Sequence, residues 1–103
     1  MNILPTNLVE SDLLWSPSAA WIEATRLNRY QQWLKGRGVR LDSLYESLWQ
    51  WSTEDPGRFW RSIWDYFEVE ADGTSEPALG NEAMPGAEWF PNARLNYAEH
   101  VFR

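Results

Sequence analysis

Apolar residues recur at helical spacing in three stretches of the chain and lose that period between them. In the first, Ala20, Ala24, Leu27, Tyr30 and Leu34 share one face at spacings of three and four. Ile22 and Trp33 flank that stripe and Trp21 lies off its other side. The pattern predicts one unbroken helix, capped by Ser16 with Pro17 at its first position, with Ser18 as the other candidate cap. Gly36 and Gly38 end it, with Lys35 near its C-terminus. A shorter helix follows, with Ser43 and Glu46 at capping-box spacing and Leu44, Leu48 and Trp51 as its inner face. Either Ser52 or Asp55, just before Pro56, then caps a third helix. Its period is the cleanest in the chain, with Phe59, Trp60, Ile63, Trp64 and Phe67 on one apolar side and Arg58 and Arg61 off it. Trp60 and Trp64 are expected to supply the core, and Glu54 to pair with Arg58.

Outside these stretches the period fails. Residues 1–15 read as an irregular arm anchored by Ile3, Leu4, Leu8, Leu13, Leu14 and Trp15. From residue 70 to 92 the chain is rich in Gly and Pro and reads as an irregular or extended arm. A last short helix follows, with Asn96 and Glu99 at capping-box spacing and Tyr97, Ala98, Val101 and Phe102 as its apolar residues. The expected fold is mainly α: a small aromatic-rich module of three to four helices, with 16–69 as the helical core and 70–103 as arm and final helix.

Composition narrows the function classes. Eight Trp, four Tyr and four Phe in 103 residues give a small domain much apolar area per side chain, so it needs no covalent staple. There is no cysteine and hence no disulfide framework. The net charge of −6 disfavours nucleic acid and anionic membranes as partners. No apolar run reaches the length of a membrane span, and "MNILPTNLVE" lacks the basic start and apolar centre of a signal peptide, so a cytoplasmic setting is expected.

No catalytic constellation emerges. His100 is the lone histidine and, without cysteine, cannot build a structural zinc site. The Gly36–Gly38 pair lacks the lysine and hydroxyl that a phosphate loop carries after it. Glu54, Asp55 and Asp65 are explained by capping and solvation. Helical spacing assigns Trp51, Trp60 and Trp64 to packing faces, while Trp15 and Trp89 lie outside regular helix and are better placed to touch another surface.

Three segments, "LLWSPSAAWIEATRLNRYQQWL", "SLYESLWQWSTEDPGRFWRSIWDYFEV" and "MPGAEWFPNARLNYAEHVFR", carry a more specific pattern. Their order and their many Trp positions resemble the N-terminal region of acetoacetyl-CoA synthetases, in the acetyl-CoA synthetase-like branch of the adenylate-forming acyl-CoA ligases. Asn92 stands where the family usually has Gly, a change that a positive φ would tolerate, and His100 replaces a frequent Asn. The resemblance implies a parent enzyme that uses ATP, Mg and CoA to activate a short acid, with its phosphate loop and catalytic lysine beyond this region. No catalytic, cofactor-binding or metal-binding residue carries over to this chain. The implied role is a cap, with the final helix leading into a missing catalytic core. Its expected contact residues are Trp15, Trp89, Phe90, Arg94, Leu95, Asn96, Tyr97, Glu99, Val101 and Phe102. A free-standing docking domain for a partner protein, or self-association of the piece, is the competing expectation.

Overall fold

The computed structural model of the chain describes residues 12–42 and 45–103. Its first helix, α1 (Ala19–Ala24), is capped by Ser18, whose hydroxyl accepts from the Trp21 amide at 3.2 Å; Ser16 and Pro17 lie outside it. The expected unbroken helix stops at Thr25. The Thr25 hydroxyl donates to the Ile22 carbonyl at 2.7 Å and accepts from the Asn28 amide at 3.1 Å, so one residue ends α1 and caps α2 (Arg26–Gly36). A hydroxyl that offers the backbone a local alternative breaks a helix that the apolar period alone would continue. In consequence Ala20 and Ala24 are exposed, and the first stripe is buried only from Tyr30 onward. Helix α2 closes as expected, with the Gly38 amide on the Lys35 carbonyl and Gly38 at φ +86°, a backbone that suits glycine.

Helix α3 spans Tyr45–Glu54; the expected Ser43 cap and Leu44 lie outside the described residues. Asp55 caps α4 (Pro56–Tyr66) by accepting from the Arg58 amide at 3.1 Å, with Pro56 in the first turn. Ser52 instead donates to the Trp49 carbonyl. Glu54 and Arg58 form no ion pair: Glu54 accepts from Gln50 at 2.8 Å, and Arg58 lies over the Trp51 ring.

The core is small. Tyr30, Leu34 and Leu48 are buried, with Trp33, Trp51, Phe59, Ile63 and Tyr66 packed around them. The Tyr30 hydroxyl meets the Ser62 hydroxyl at 2.5 Å, tying α2 to α4 through a buried polar pair. Burial raises the Tyr30 pKa above 10.0, and the Ser62 bond offsets part of that rise.

Trp60 and Trp64 do not supply this core. The apolar side of α4 is two adjacent stripes: Phe59, Ile63 and Tyr66 face α2 and α3, while Trp60 and Trp64 face the arm. Trp60 stays 44% exposed, edge-on to Trp89 at 5.9 Å. Trp64 stacks on Phe90 with ring centroids 4.3 Å apart.

The arm is more ordered than its Gly and Pro content predicts, which makes the fold mixed: helices with short strands. β1 (Asp72–Gly73) pairs antiparallel with β4 (Ala93–Arg94), and β2 (Leu79–Asn81) with β3 (Glu88–Trp89). The second ladder is irregular at Gly80, where an added Cβ would press on Pro91. At Gly73, with φ +85°, a Cβ would collide with the Asn92 carbonyl oxygen. Asn92 itself is not at positive φ; its side-chain amide donates to the Glu76 carbonyl at 2.9 Å. The left-handed residue of that turn is Phe90, at φ 44°. Such a backbone costs a non-glycine residue about 1–2 kcal/mol, and burial of its ring against Trp64 offsets this.

Arg61 fastens the arm to α4. Its guanidinium donates to the Ser75 hydroxyl at 2.7 Å and to the Ser75 carbonyl, pairs with Glu76 at 3.2 Å, and lies over the Phe90 ring. The last helix, α5 (Tyr97–Val101), is capped by Asn96. The whole is elongated, with extents of 57 × 32 × 30 Å and a radius of gyration of 18.7 Å. A compact domain of this length would have about 13 Å.

Three outcomes follow. Leu34→Ala is expected to cost about 2–5 kcal/mol in urea unfolding, and Trp60→Ala well under half of that; equal losses would return Trp60 to the core. Tyr30 is held protonated in the fold, so its contribution is complete below its unfolded pKa near 10 and is lost as pH rises through the raised folded value. The stability gap between the wild type and Tyr30→Phe should therefore hold at neutral and mildly alkaline pH and narrow only as pH rises past about 10 in thermal melts; a constant gap there would show that Tyr30 does not titrate differently on folding. Arg61→Ala should speed amide exchange across 75–90 by roughly tenfold or more, with Arg61→Lys a poor rescue because it lacks the planar fork. Unchanged exchange would mean that the arm is held without Arg61.

Candidate docking face

After β4 the chain turns along one end of the molecule. Asn96 accepts from the Ala98 and Glu99 amides at 2.9 and 3.4 Å, which starts α5 and sets the direction of its side chains. Two ties hold this segment. On one side β4 pairs with β1, placing Arg94 opposite Asp72. On the other, the Arg103 guanidinium donates to the Phe67 carbonyl at 2.5 Å and to the Glu68 carbonyl, and lies 3.8 Å from Glu70. Those carbonyls lie just past the C-terminus of α4, where a cation is favoured.

Between the ties, large apolar side chains are uncovered. Leu95 and Val101 are each 54% exposed, Tyr97 80% and Phe102 87%. Beside them is an open cleft of about 410 Å³, where Arg94, Leu95, Asn96 and Glu99 meet Glu70, Ala71 and Asp72. Its lining is mostly polar, with three carboxylates and one guanidinium. The backbone of this face is tied down while Leu95, Tyr97, Val101 and Phe102 stay exposed. Such a surface can make contacts. Among the described residues, no group of three His, Cys, Asp or Glu side chains is arranged to hold a metal ion.

The residues singled out in the sequence fall into three places. Arg94, Leu95, Asn96 and Glu99 line that one cleft, with Tyr97, Val101 and Phe102 on the same short helix. Trp89 and Phe90 are engaged within the chain, the first against Trp60 and the second between Trp64 and Arg61. Trp15 is exposed, and its ring contact is with Trp21 at 5.1 Å. His100 lies in the last turn of α5, with its Nε2 shielded from solvent and without a hydrogen-bond partner.

Sequence reasoning missed the brace behind the face, namely Arg61, Ser75, Glu76 and Asn92. A signal was present in the double stripe of α4, since five aromatic or aliphatic residues within nine positions cover more of a helix than one core can bury. Arg61 carried no signal, because a guanidinium beside an apolar stripe is ordinarily solvated. Among the described residues no helix is long and apolar enough to cross a membrane.

A family profile described as "Acetyl-coenzyme A synthetase N-terminus" matches residues 45–101, taking in α3, α4, both small sheets and α5. The acetoacetyl-coenzyme A synthetase of Rhizobium meliloti (strain 1021) is 29% identical over 90 residues, which is 87% of this chain and 14% of that protein. A malonamoyl-CoA synthetase of Penicillium aethiopicum is 31% identical over 93 residues, covering 87% of this chain and 12% of that one. Among solved structures, an acetoacetyl-CoA synthetase from Streptomyces lividans superposes with a TM-score of 0.80 at 38% identity, over 86% of this chain and 14% of that one. The chain thus spans a small fraction of the length of the synthetases it matches. With more than half its residues under the profile and the same fold in a solved synthetase, the chain belongs to the acetyl-coenzyme A synthetase N-terminus family and corresponds to the N-terminal region of such a synthetase.

Proposed function

We propose that the chain is the N-terminal cap of an ATP-dependent ligase joining acetoacetate or a related short acid to CoA. It packs on the catalytic core through the face around α5 and makes or breaks no bond itself. The observation that carries this reading is that face: fixed by β1–β4 pairing and by Arg103, yet exposing Leu95, Tyr97, Val101 and Phe102. Contiguous uncovered apolar side chains usually mark a contact surface. Arg94 and Glu99 orient the contact by charge, and Trp89 and Phe90 act from behind, holding the arm on α4. Trp15 serves as a second, separate contact.

On this reading ATP, Mg²⁺ and CoA belong to the larger protein. The lone lysine, Lys35, lies in the last turn of α2 and is followed by Gly-Arg-Gly, which is no phosphate cradle. The parent reaction forms an acyl-adenylate and pyrophosphate, after which the CoA thiol displaces AMP; it takes place in the cytoplasm. The relatives are named for two different acids at similar identity, which supports a region that does not choose the acid.

The chain alone is expected to give no acetoacetate-dependent pyrophosphate exchange. Mixed with the remainder of its synthetase it should form a one-to-one complex, and the double variant Tyr97→Asp, Phe102→Asp should weaken that complex by at least about 100-fold. Turnover by the chain alone, or an unimpaired complex in the double variant, would overturn the proposal. Capture of a different protein with no affinity for the synthetase remainder would favour the free-standing docking domain.

A further inference from the structure

A second apolar surface lies on the helical part and meets the face around α5 only at Phe67, whose ring lines it and whose carbonyl accepts from Arg103. Two adjoining clefts, of about 490 and 230 Å³, run between α2, α3 and α4 and have Leu27, Tyr30 and Ile63 in common, so they form one trough. One end opens between Tyr66, Phe67 and the arginines Arg26 and Arg29. The other opens between Tyr45 and Trp49. Its floor is firm, because Tyr30 and Leu48 are buried and the Tyr30 hydroxyl is held by Ser62. Its walls are exposed: Leu27, Tyr45, Trp49 and Phe67 are each more than two-fifths open to solvent.

The charges of this trough are one-sided. In a chain of net charge −6, the charged groups lining it are two guanidiniums, three residues apart on α2. Among the described residues neither forms an ion pair. In water, two unpaired arginines cost nothing. Both are exposed at the rim, so an occupant that covers the aromatic floor at that end brings its own charges close to them. Carboxylates on the occupant are therefore favoured there, because a guanidinium fork binds them in bidentate fashion.

We propose that the trough receives an acidic amphipathic segment of a partner protein. Its apolar side chains lie along the floor between Trp49 and Phe67, and its Asp or Glu residues meet Arg26 and Arg29. A trough lined by apolar side chains of three helices suits an amphipathic helix whose apolar side chains repeat at i, i+3 or i+4, and i+7. This surface stands apart from the proposed cap contact, and the variants that probe it leave the face around α5 untouched.

The test is selection of randomised peptides against the full 103-residue chain, with affinities read from Trp fluorescence. The expected binders carry apolar residues at helical spacing and one or more carboxylates, and weaken as salt is raised. Arg26→Glu with Arg29→Glu should weaken them at least roughly tenfold, with Lys at both positions retaining part of the affinity. Leu27→Asp should abolish binding. Thermal melts of each variant confirm that the helical core is intact. Failure to enrich any binder, enrichment of basic or uncharged peptides, or affinity indifferent to charge reversal would overturn the proposal. Sedimentation showing a dimer broken by Leu27→Asp would assign the trough to a second copy. Displacement of the selected peptides by the remainder of the synthetase would assign it to the same protein's core. Either result would overturn the proposal as well.

Discussion

Helix α4 has to satisfy two apolar surfaces at once, and the rest of the molecule is arranged around that demand. Phe59, Ile63 and Tyr66 point one way, into the packing with α2 and α3. Trp60 and Trp64 point another, and without the arm they would be left in water. The arm answers with Trp89 and Phe90, and the position of Phe90 is valuable enough to hold it in a left-handed backbone. Arg61 lies on the seam, where its fork fixes the Ser75 backbone while its flat face covers the ring that Trp64 stacks on. Remove the second stripe and the arm has nothing to lie on.

From this follows an extended molecule with two kinds of surface. The helical part is closed enough to have a core, though a small one, and the arm adds two short ladders rather than a second core. A chain of this shape buries less of its apolar area than a compact one of equal length. What stays uncovered is grouped: the α5 residues at one place and the trough between three helices at another. Both are backed by fixed backbone, by Arg103 and β4 in one case and by the Tyr30–Ser62 pair in the other. A rigid apolar face loses little entropy when it is covered, and this favours contact surfaces over loose ends.

The site was partly legible. Asn96 as a cap follows from local chemistry, because an amide oxygen beside free helix amides is a short-range matter. Grouping Arg94, Leu95 and Glu99 with the final helix was equally local. What the sequence did not tell was that Trp89 and Phe90 pack against Trp60 and Trp64. Aromatic residues in a Gly- and Pro-rich stretch look alike whether they meet solvent, a partner or their own chain. Asn92 is similar: its side chain reaches Glu76, sixteen residues away, and nothing near it in sequence announces that bond.

By itself the sequence determined whatever acts over one helical turn. It set the Asp55–Pro56 start of α4, the glycine end of α2, the capped final helix, and the exclusion of disulfides and of a lysine-bearing phosphate loop. Its order of Trp motifs also carried the family. Tertiary structure decided three things. The first helix breaks at Thr25, whose bonds are local, because no packing covers α1 and rewards a continuous ladder. Leu34 rather than Trp60 is the deepest residue, because depth depends on what covers a helix face and not on how apolar that face is. The arm folds into paired strands because Trp60, Trp64 and Arg61 hold it in place, and the pairing of Gly73 with Ala93, with a second ladder between them, is a long-range choice that no local period encodes.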